Sequence, residues 1–331
     1  MTNPPTLSPS KMKSWLEHLP SATVLGPVLA LVLASLYFAT QTDRFLTGQN
    51  FALILQQVMV VAVIAIGQTL VILTAGIDLS CGMVMAVGNV VMTKFAVELG
   101  VPVGLAILCG ILVTTAFGFI NGLLITRLRL PPFIVTLGMY NIAFAISQIY
   151  SNAQTVTILD PSSPLVVFGR TLNLGGTALS WGVILTIFLY ILAWFILSET
   201  SPGRHLYAVG NNPEAARLTG IPTLRVLLIV YTLAGTLYGV AGWLLVSRTG
   251  VGDPNAGQTE NLEAITAVVL GGTSLFGGRG MIFGTLLGAL IVGVFRNGLT
   301  LTGVPSVYQI LITGILVILA VATDQLSKRK S

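Results

Sequence analysis

Long apolar runs separated by single charged residues dominate the chain of 331 residues. A helix needs about 20 apolar residues to cross the roughly 30 Å of hydrocarbon in a bilayer, because each residue adds about 1.5 Å. Cutting the sequence at its charged residues leaves ten candidate runs, and most of them reach that length. The pattern therefore predicts an all-α, polytopic membrane protein of about ten transmembrane helices. The ten runs are residues 21–42, 45–77, 79–93, 100–126, 130–159, 171–198, 226–247, 264–278, 280–295 and 297–323.

Three of the runs are too short for a straight transmembrane helix. Residues 79–93 and residues 264–278 are 15 residues each, and residues 280–295 are 16. As straight helices they extend only roughly 22–24 Å. We therefore expect these three spans to be broken, tilted or re-entrant.

The composition agrees with a membrane location and excludes several other classes of protein. Hydrophobic residues make up 54% of the chain and charged residues only 8%, against roughly 25% charged residues in a soluble domain. The mean hydropathy of +0.91 excludes a soluble globule and a disordered chain. The net charge of +5 comes from cations scattered between apolar runs, so no nucleic-acid partner is expected.

The distribution of basic residues predicts which ends of the helices face the cytoplasm. With a cytoplasmic N-terminus, ten crossings place eleven of the 16 Lys and Arg residues on the inner side and five on the outer side. This bias matches the positive-inside rule, so both termini are predicted to be cytoplasmic. Residues 1–20 form an N-terminal segment, residues 21–323 one transmembrane domain, and residues 324–331 a cytoplasmic tail. Two longer loops remain, residues 151–180 outside and residues 199–225 inside.

The chain carries no motif for chemistry of its own. Cys81 and Cys109 both lie inside apolar runs and are expected to be buried side chains rather than a disulfide or a metal site. The sequence also lacks a G-x-x-x-x-G-K-[ST] loop, which would bind the phosphates of ATP. We therefore expect a protein that is not an enzyme, binds no metal or cofactor, and takes its energy from a partner or from a gradient.

The inner loop contains a short segment with the start and stop signals of a complete helix. Asn212 is a favourable N-cap, Pro213 suits the first helical position, and Glu214 complements the positive end of the helix dipole. Gly220 suits the left-handed conformation that ends a helix. A helix of under about 12 residues is marginal in water unless it packs against something. The segment is therefore either a lid on the chain's own bundle or a docking element for a cytoplasmic partner.

Four motifs in sequence order resemble the permeases of ATP-binding-cassette (ABC) importers for ribose, fructose and related sugars. Glu214-Ala215-Ala216 followed by Gly220 resembles the coupling segment of that family, within a matching stretch at residues 208–222. The resemblance extends from about residue 45 to residue 324, and Cys81 is one departure from the family pattern. The other three motifs are LTAGIDLS at residues 73–80, LPPFIVTLG at residues 130–138, and residues 264–280 with VLGGTS.

The resemblance implies a dimeric permease of the bacterial inner membrane, paired with a copy of itself or with a relative. It also implies cytoplasmic ATPase domains, which use ATP and Mg²⁺, and a periplasmic binding protein that delivers the sugar. The short inner helix would then couple the ATPase to the permease, while the identity of the sugar stays open. The candidate coupling residues are Asn212, Pro213, Glu214, Ala215, Ala216, Arg217, Leu218 and Gly220.

An ionisable residue, Asp78, lies between the second and third apolar runs, with Ser80 two residues later. One interpretation is an N-cap for a helix that begins near Leu79, which needs no ligand. The other is a gate or an ion-coupling site, because a charge at membrane depth is costly and often serves function. We favour a cap that holds a broken helix at the translocation pathway. A proton-coupled secondary transporter that uses Asp78 is kept as the alternative function.

A second interruption, at residues 271–278, also consists of small residues and also lies between two short runs. Paired interruptions in the two halves of a chain indicate an internal repeat with the pathway at its interface. Both interruptions face the cytoplasm in the predicted topology, so either the repeat is parallel or one helix is miscounted. The candidate gate residues in this interruption are Gly271, Gly272, Thr273 and Ser274.

Several amide side chains lie inside apolar runs, where they can serve either a pathway or helix packing. A neutral polyol needs donors and acceptors along its route, and amides supply both. Hydrogen bonds between helices explain the same residues equally well. Arg296, near the outer end of the ninth run, is expected to snorkel or to pair with Glu260 or Glu263. The candidate amides are Asn89, Asn121, Asn141, Gln148 and Asn297.

Glycines at four-residue spacing predict where helices approach each other closely, because they form a flat strip on one side of a helix. We expect these strips to serve helix packing. The glycines are Gly118 and Gly122, Gly235 and Gly239, and Gly280, Gly284 and Gly288.

Overall fold

The structure, a computed structural model, describes residues 22–174 and residues 177–328. The predicted N-terminal segment, residue 21 and the last three residues of the predicted tail lie outside the described residues. The described helices, in chain order, are α1 (Ala22–Gln41), α2 (Gly48–Leu73), α3 (Cys81–Val97), α4 (Val103–Arg127), α5 (Pro132–Ser151), α6 (Trp181–Glu199), α7 (Ser201–Asn211), α8 (Pro213–Leu218), α9 (Thr223–Thr249), α10 (Glu260–Leu270), α11 (Ile282–Leu301) and α12 (Ser306–Lys328).

Six of the described helices are long and apolar enough to cross a membrane: α2, α4, α5, α6, α9 and α11. Three shorter apolar helical stretches accompany them, Leu25–Gln41, Cys81–Val97 and Ser306–Leu319. The all-α, polytopic class predicted from the sequence is therefore confirmed. A tenth apolar helix, α10, has only 11 residues, which is about three turns. The span predicted at residues 264–278 therefore overlaps a helix that is too short to cross the membrane.

Two of the three short runs, residues 79–93 and 280–295, overlap continuous helices of 17 and 20 residues, whereas residues 264–278 contain only the end of an 11-residue helix. Helix α3 starts at Cys81 after a stretch of turn and bend, and α10 ends at Leu270 with a turn after it. The prediction for residues 280–295 is wrong, because α11 is a continuous helix of 20 residues. It continues past Arg296, whose Nη1 atom lies 3.0 Å from Oε1 of Glu263. The cut at Arg296 misplaced this span because the charge is paired with Glu263 and does not end the helix.

The outer loop forms short strands and a 3₁₀ helix that the all-α prediction does not include. Strand β1 (Val156–Thr157) pairs antiparallel with β4 (Val251–Gly252), and β2 (Thr171–Leu174) pairs antiparallel with β3 (Thr177–Ser180). The 3₁₀ helix, Pro164–Gly169, packs against α9 and α6. Because β2 and β3 occupy the start of the sixth apolar run, α6 is shorter than that run.

The core of the bundle is built around α2, α3 and α9. Every residue of α3 from Cys81 to Thr93 is buried, and so is α2 from Val58 to Leu73. Helix α9 packs against α2, α3 and α4. Helices that are apolar on all sides are expected at such central positions. This packing places the two interrupted segments, before α3 and after α10, next to the core rather than at its edge.

The predicted glycine contacts are present between α4 and α9. A Cβ atom at Gly118 would overlap the carbonyl oxygen of Tyr231 and would lie 2.9 Å from Cα of Gly235. The reverse also holds, since a Cβ atom at Gly235 would lie 3.0 Å from Cα of Gly118. The two backbones therefore touch directly, which only glycine permits.

A second glycine strip brings α11 against α10. Cβ atoms at Gly284 and Gly288 would overlap the carbonyl oxygens of Gly271 and Ala267. Gly280 does not belong to this strip, because it precedes α11 and has a φ of 154°. The prediction of a three-glycine strip is therefore correct for two of its members and wrong for the first.

Replacing Gly118 with leucine is expected to destabilise the bundle by about 1–3 kcal/mol or more, because overpacking forces the two helices apart. The matched control is Gly104→Leu on the same helix, where a Cβ atom would have no neighbour within 4 Å. The midpoint of thermal unfolding in detergent, followed by tryptophan fluorescence, should fall for the first variant and stay close to wild type for the second. Equal midpoints would contradict the close contact.

Candidate functional site

The inner loop folds as a helical hairpin of α7 and α8, and its second helix matches the prediction residue by residue. Oδ1 of Asn212 accepts hydrogen bonds from the backbone N–H groups of Glu214 (3.1 Å) and Ala215 (3.0 Å). Pro213 occupies the first helical position, and Gly220 has a φ of 87°. The local start and stop signals therefore produce the predicted helix.

The first helix of the hairpin, α7, was not predicted from the sequence. Thr200 is its N-cap, and the side-chain oxygen accepts a hydrogen bond from the N–H of Gly203 (3.4 Å). Pro202 lies in its first turn. A Thr-x-Pro start of this kind is a usable signal, but a polar segment between the long apolar helices α6 and α9 is also typical of a loop.

Helix α8 presents most of its surface to solvent. Leu218 is 80% exposed, and Glu214 and Arg217 are also exposed. Of the eight candidate coupling residues, only Ala216 is buried, at 4% exposed. A short helix that leaves a leucine this exposed is not covered by the chain's own bundle.

The end of α7 contacts both helix interruptions at once, at a point we call the glycine junction: Leu73, Gly210 and Gly278. The N–H of Gly278 donates to the carbonyl oxygen of Leu73 (2.9 Å). A Cβ atom at Gly210 would overlap that same carbonyl and would lie 2.7 Å from the nitrogen of Gly278. The hydroxyl of Tyr207 donates to the carbonyl oxygen of Gly280 (3.0 Å). The hairpin is therefore joined directly to the segments before α3 and before α11.

Asp78 lies in a buried polar cluster and not at the first turn of a helix. Its Oδ1 atom accepts hydrogen bonds from the N–H (2.8 Å) and the hydroxyl (2.6 Å) of Ser80, and Oδ2 accepts one from the hydroxyl of Tyr238 (3.2 Å). Nδ2 of Asn121 donates to the same Ser80 hydroxyl oxygen (3.1 Å). The prediction of an N-cap at Asp78 is wrong, because α3 begins at Cys81 and Ser80 is the cap position.

The cluster around Asp78 ties three helices to the α2–α3 connection. It draws its members from the α2–α3 connection, α4 and α9, and the side chain of Gln68 in α2 donates to the backbone oxygen of Asp78. Asp78 is 1% exposed, Ser80 is fully buried and Asn121 is 1% exposed. These three candidate gate residues are therefore closed off from any aqueous pathway in this conformation.

The second interruption is a tight turn whose small residues are largely used in packing. Gly271 caps α10 and touches the backbone of α11, and Gly272 has a φ of 84°. Thr273 is 1% exposed. The N–H of Ser274 donates to the carbonyl oxygen of Arg279 (2.9 Å) and closes the turn.

The remaining candidate amides lie in different places and do not form one site. Asn89 is fully buried and bonds the backbone of Asp253 through both of its side-chain atoms. Asn297 is 2% exposed and donates to Oδ1 of Asn50 (2.9 Å). Asn141 is exposed on α5 and donates to the carbonyl of Leu137 (3.0 Å). Interhelical or local bonding therefore explains these amides.

The outer loop carries a polar turn that is fully exposed. The hydroxyl and the N–H of Ser162 donate to Oδ1 of Asp160 at 2.6 and 2.8 Å. These bonds hold the pKa of the Asp160 carboxyl below its ordinary value. Nη2 of Arg170 donates to the carbonyl oxygen of Ser162 (2.6 Å) and fixes the turn from the other side.

Comparison with known proteins places the chain among membrane permeases. A family described as "Branched-chain amino acid transport system / permease component" matches residues 50–321, and the chain belongs to this family. Together with the apolar helices, the family makes it a multi-pass protein of the bacterial inner membrane. No solved structure matches the chain.

Curated relatives cover nearly the whole chain. It is similar to the fructose import permease protein FrcC of Rhizobium meliloti, with 45% identity over 95% of this chain and 88% of the relative. It is similar to the ribose import permease protein RbsC of Bacillus subtilis, with 40% identity over 91% and 92%. A probable ABC transporter permease protein of Sinorhizobium fredii, y4mJ, is 36% identical over 93% and 90%. These relatives agree with the resemblance that the motifs indicated.

Proposed function

We propose that this chain is the permease subunit of an ABC importer that moves a monosaccharide of the ribose or fructose class into the cytoplasm by alternating access. The names of the fructose and ribose import permeases support this substrate class. The chain itself performs no covalent chemistry and binds no cofactor in this proposal. A partner ATPase hydrolyses ATP with Mg²⁺, and lipid surrounds the apolar faces of the helices.

The topology we propose has ten crossings with both termini in the cytoplasm. Nine crossings use the longer apolar helices, and the tenth combines residues 251–259 with α10. The arrangement is supported by the hairpin α7–α8, which meets the segments before α3 and before α11 at one end of the bundle. The outer loop, residues 151–180, then lies at the opposite end, where a periplasmic sugar-binding protein docks.

Helix α8 is the proposed contact for the ATPase. One observation carries this assignment: α8 is capped, yet it leaves Leu218 80% exposed. The other helix of the hairpin, α7, meets both helix interruptions at the glycine junction. Motion of the hairpin would therefore reach α3 and α11 directly. The permease pairs with a second permease, either a copy of itself or a relative, so that two hairpins face the two ATPase subunits.

Leu218→Asp is expected to lower ATP-dependent sugar uptake by about tenfold or more, because a carboxylate replaces the apolar contact with the ATPase. The matched control is Leu46→Asp, since Leu46 is 76% exposed in the connection between α1 and α2. Uptake is measured with radiolabelled fructose and ribose in cells that express the permease with its ATPase and binding protein. Both variants should elute from size-exclusion chromatography as wild type does. Wild-type uptake by Leu218→Asp would refute the coupling assignment.

A further inference from the structure

A segment without a helix, which begins with strand β4 and continues as turns, runs alongside the buried helix α3. Gly252 lies against Thr93, near the end of α3, and Gly257 lies against Gly82, in its first turn. The distance along α3 between these two contacts is about 16 Å, roughly half the thickness of the hydrocarbon core. We call residues 251–259 the re-entrant segment, because this non-helical backbone turns back into the membrane after α9, before α10 completes the crossing.

One side of the re-entrant segment is fixed to α3 and α5 by hydrogen bonds. The N–H of Asp253 donates to Oδ1 of Asn89 (3.0 Å), and the hydroxyl of Ser147 donates to the carbonyl oxygen of Pro254 (3.0 Å). Nε2 of Gln148 donates to Oδ1 of Asn255 (2.8 Å). The amides that the sequence suggested as pathway residues therefore hold this segment in place.

The other side of the segment faces a cavity of about 520 Å³. That volume lies within the range of roughly 300–1,000 Å³ for small-molecule sites. Irregular backbone at membrane depth is tolerated only where protein buries it or where it lines a water-filled cavity. Asn255 and Gln258 are exposed, so the chain itself does not bury this side of the segment, as expected if it lines a water-filled cavity. The polar lining residues are Thr249, Asp253, Asn255, Gln258, Thr259 and Glu260.

The lining of this cavity differs from that of the apolar cavity between α6 and α11. A cavity of about 350 Å³ between α6 and α11 is lined by apolar and aromatic side chains, among them Ile187, Trp194 and Phe283. The cavity at the re-entrant segment instead carries two carboxylates, two amides and two hydroxyls. Side chains of this kind accept and donate hydrogen bonds to hydroxyl groups, which a polyol supplies in number.

The charges around the cavity favour a neutral ligand over an anion. Nη1 of Arg296 donates hydrogen bonds to both carboxylate oxygens of Glu263 (3.0 Å each), so this cation is already paired. Among the described residues, the lining of the cavity includes the carboxylate of Glu260 and contains no Lys or Arg. Asp253 adds a further carboxylate at the cavity, so an anionic ligand would meet repulsion, whereas hydroxyl donors would not.

We propose that the cavity at the re-entrant segment is the site where the permease binds its sugar during passage through the membrane, with Asn255, Gln258 and Glu260 as hydrogen-bonding residues. This inference rests on the proposed function, since it names the binding site of that same transport. It places the site on irregular backbone beside α3 and not on Asp78 or the second interruption.

The first experiment tests whether the cavity holds water. The variants Gln258→Cys and Ile187→Cys are treated in right-side-out and in inverted membrane vesicles with MTSET, a charged thiol reagent that does not enter lipid. Gln258→Cys should react at least about tenfold faster than Ile187→Cys, which lies on the lipid-facing side of α6, because thiol reactivity follows exposure. Leu159→Cys in the outer loop is the positive control, and the wild type, with Cys81 and Cys109, sets the background. Failure of Gln258→Cys to react from either side overturns the proposal.

The second experiment tests whether the cavity binds sugar. Gln258→Leu should lower ATP-dependent uptake of radiolabelled fructose and ribose by about tenfold, and excess sugar should slow the MTSET reaction of Gln258→Cys. The control is Gln41→Leu, an exposed amide at the end of α1, with uptake as in wild type. Labelling of Gln258→Cys together with unchanged uptake by Gln258→Leu overturns the binding role. If the wild type itself shows no ATP-dependent uptake, the proposed function fails. If the wild type shows uptake but Gln258→Cys is not labelled, only the binding-site proposal fails.

Discussion

Gly210→Ala is expected to reduce ATP-dependent sugar uptake by about tenfold or more, a loss of coupling of about 1–3 kcal/mol. The added methyl group would overlap the carbonyl oxygen of Leu73, which already accepts the hydrogen bond from Gly278. Either the hairpin moves away from the bundle or this hydrogen bond breaks. In both cases a push on α8 no longer reaches the segments before α3 and α11. Uptake and ATPase stimulation are measured together, and uptake should fall more than ATP hydrolysis.

The control for this prediction is Gly138→Ala in α5, where a Cβ atom would have no neighbour within 4 Å. Alanine in an open helical position favours the helix slightly over glycine, so this variant should transport as wild type does. Both proteins are first compared by size-exclusion chromatography to show that they are folded. The expected defect of Gly210→Ala is in the transmission of motion from α8 to the bundle and not in folding. Full uptake by Gly210→Ala would show that the glycine junction does not transmit the motion.

Asp78→Leu is expected to lower the amount of folded permease severely, whereas Asp78→Asn should keep most of it. Leucine leaves the buried Ser80 and Tyr238 donors without their acceptor, at about 1–3 kcal/mol for each group. Asparagine keeps an oxygen for Ser80, and its amide can donate to the Tyr238 oxygen. The measurement is the folded fraction after extraction in detergent, followed by uptake per folded molecule.

The same pair of variants separates a structural carboxyl from a proton carrier. A proton-coupled transporter requires a group that ionises at this position, so Asp78→Asn would lose all uptake while staying folded. For a structural carboxyl we expect the opposite, uptake per folded molecule within about threefold of wild type. Collapse of the proton gradient with a protonophore at constant ATP should also leave uptake in place.

The parts of the fold that follow from local sequence were predictable. Asn212, Pro213 and Gly220 fix α8 because each acts on its own few residues of backbone. The short helix at α10 followed from run length alone. Arg296 produced a false helix boundary. An unpaired charge indicates the end of a membrane-spanning helix, but Arg296 pairs with Glu263, 33 residues away in the sequence. Only the folded chain shows which of its possible partners it meets.

The polar sites depended on contacts that no local pattern contains. Asp78 meets Tyr238 across 160 residues, and Asn89 meets Asp253 across 164. From the sequence, the turn residues between α9 and α10 are typical of a surface loop, and nothing in them indicates that they lie beside α3. Gly210 belongs to the stretch that resembles the coupling segment, yet its role comes from the approach of Leu73, which only the folded chain brings about.

The most direct test of the central claim is uptake by purified permease in proteoliposomes, with and without its ATPase. We predict that radiolabelled fructose or ribose accumulates against its gradient only when the ATPase, the binding protein, ATP and Mg²⁺ are all present. Leu218→Asp should abolish that accumulation in the complete system. Uphill accumulation by the permease alone, driven by a pH gradient, would contradict the claim that an ATPase drives this chain through α8.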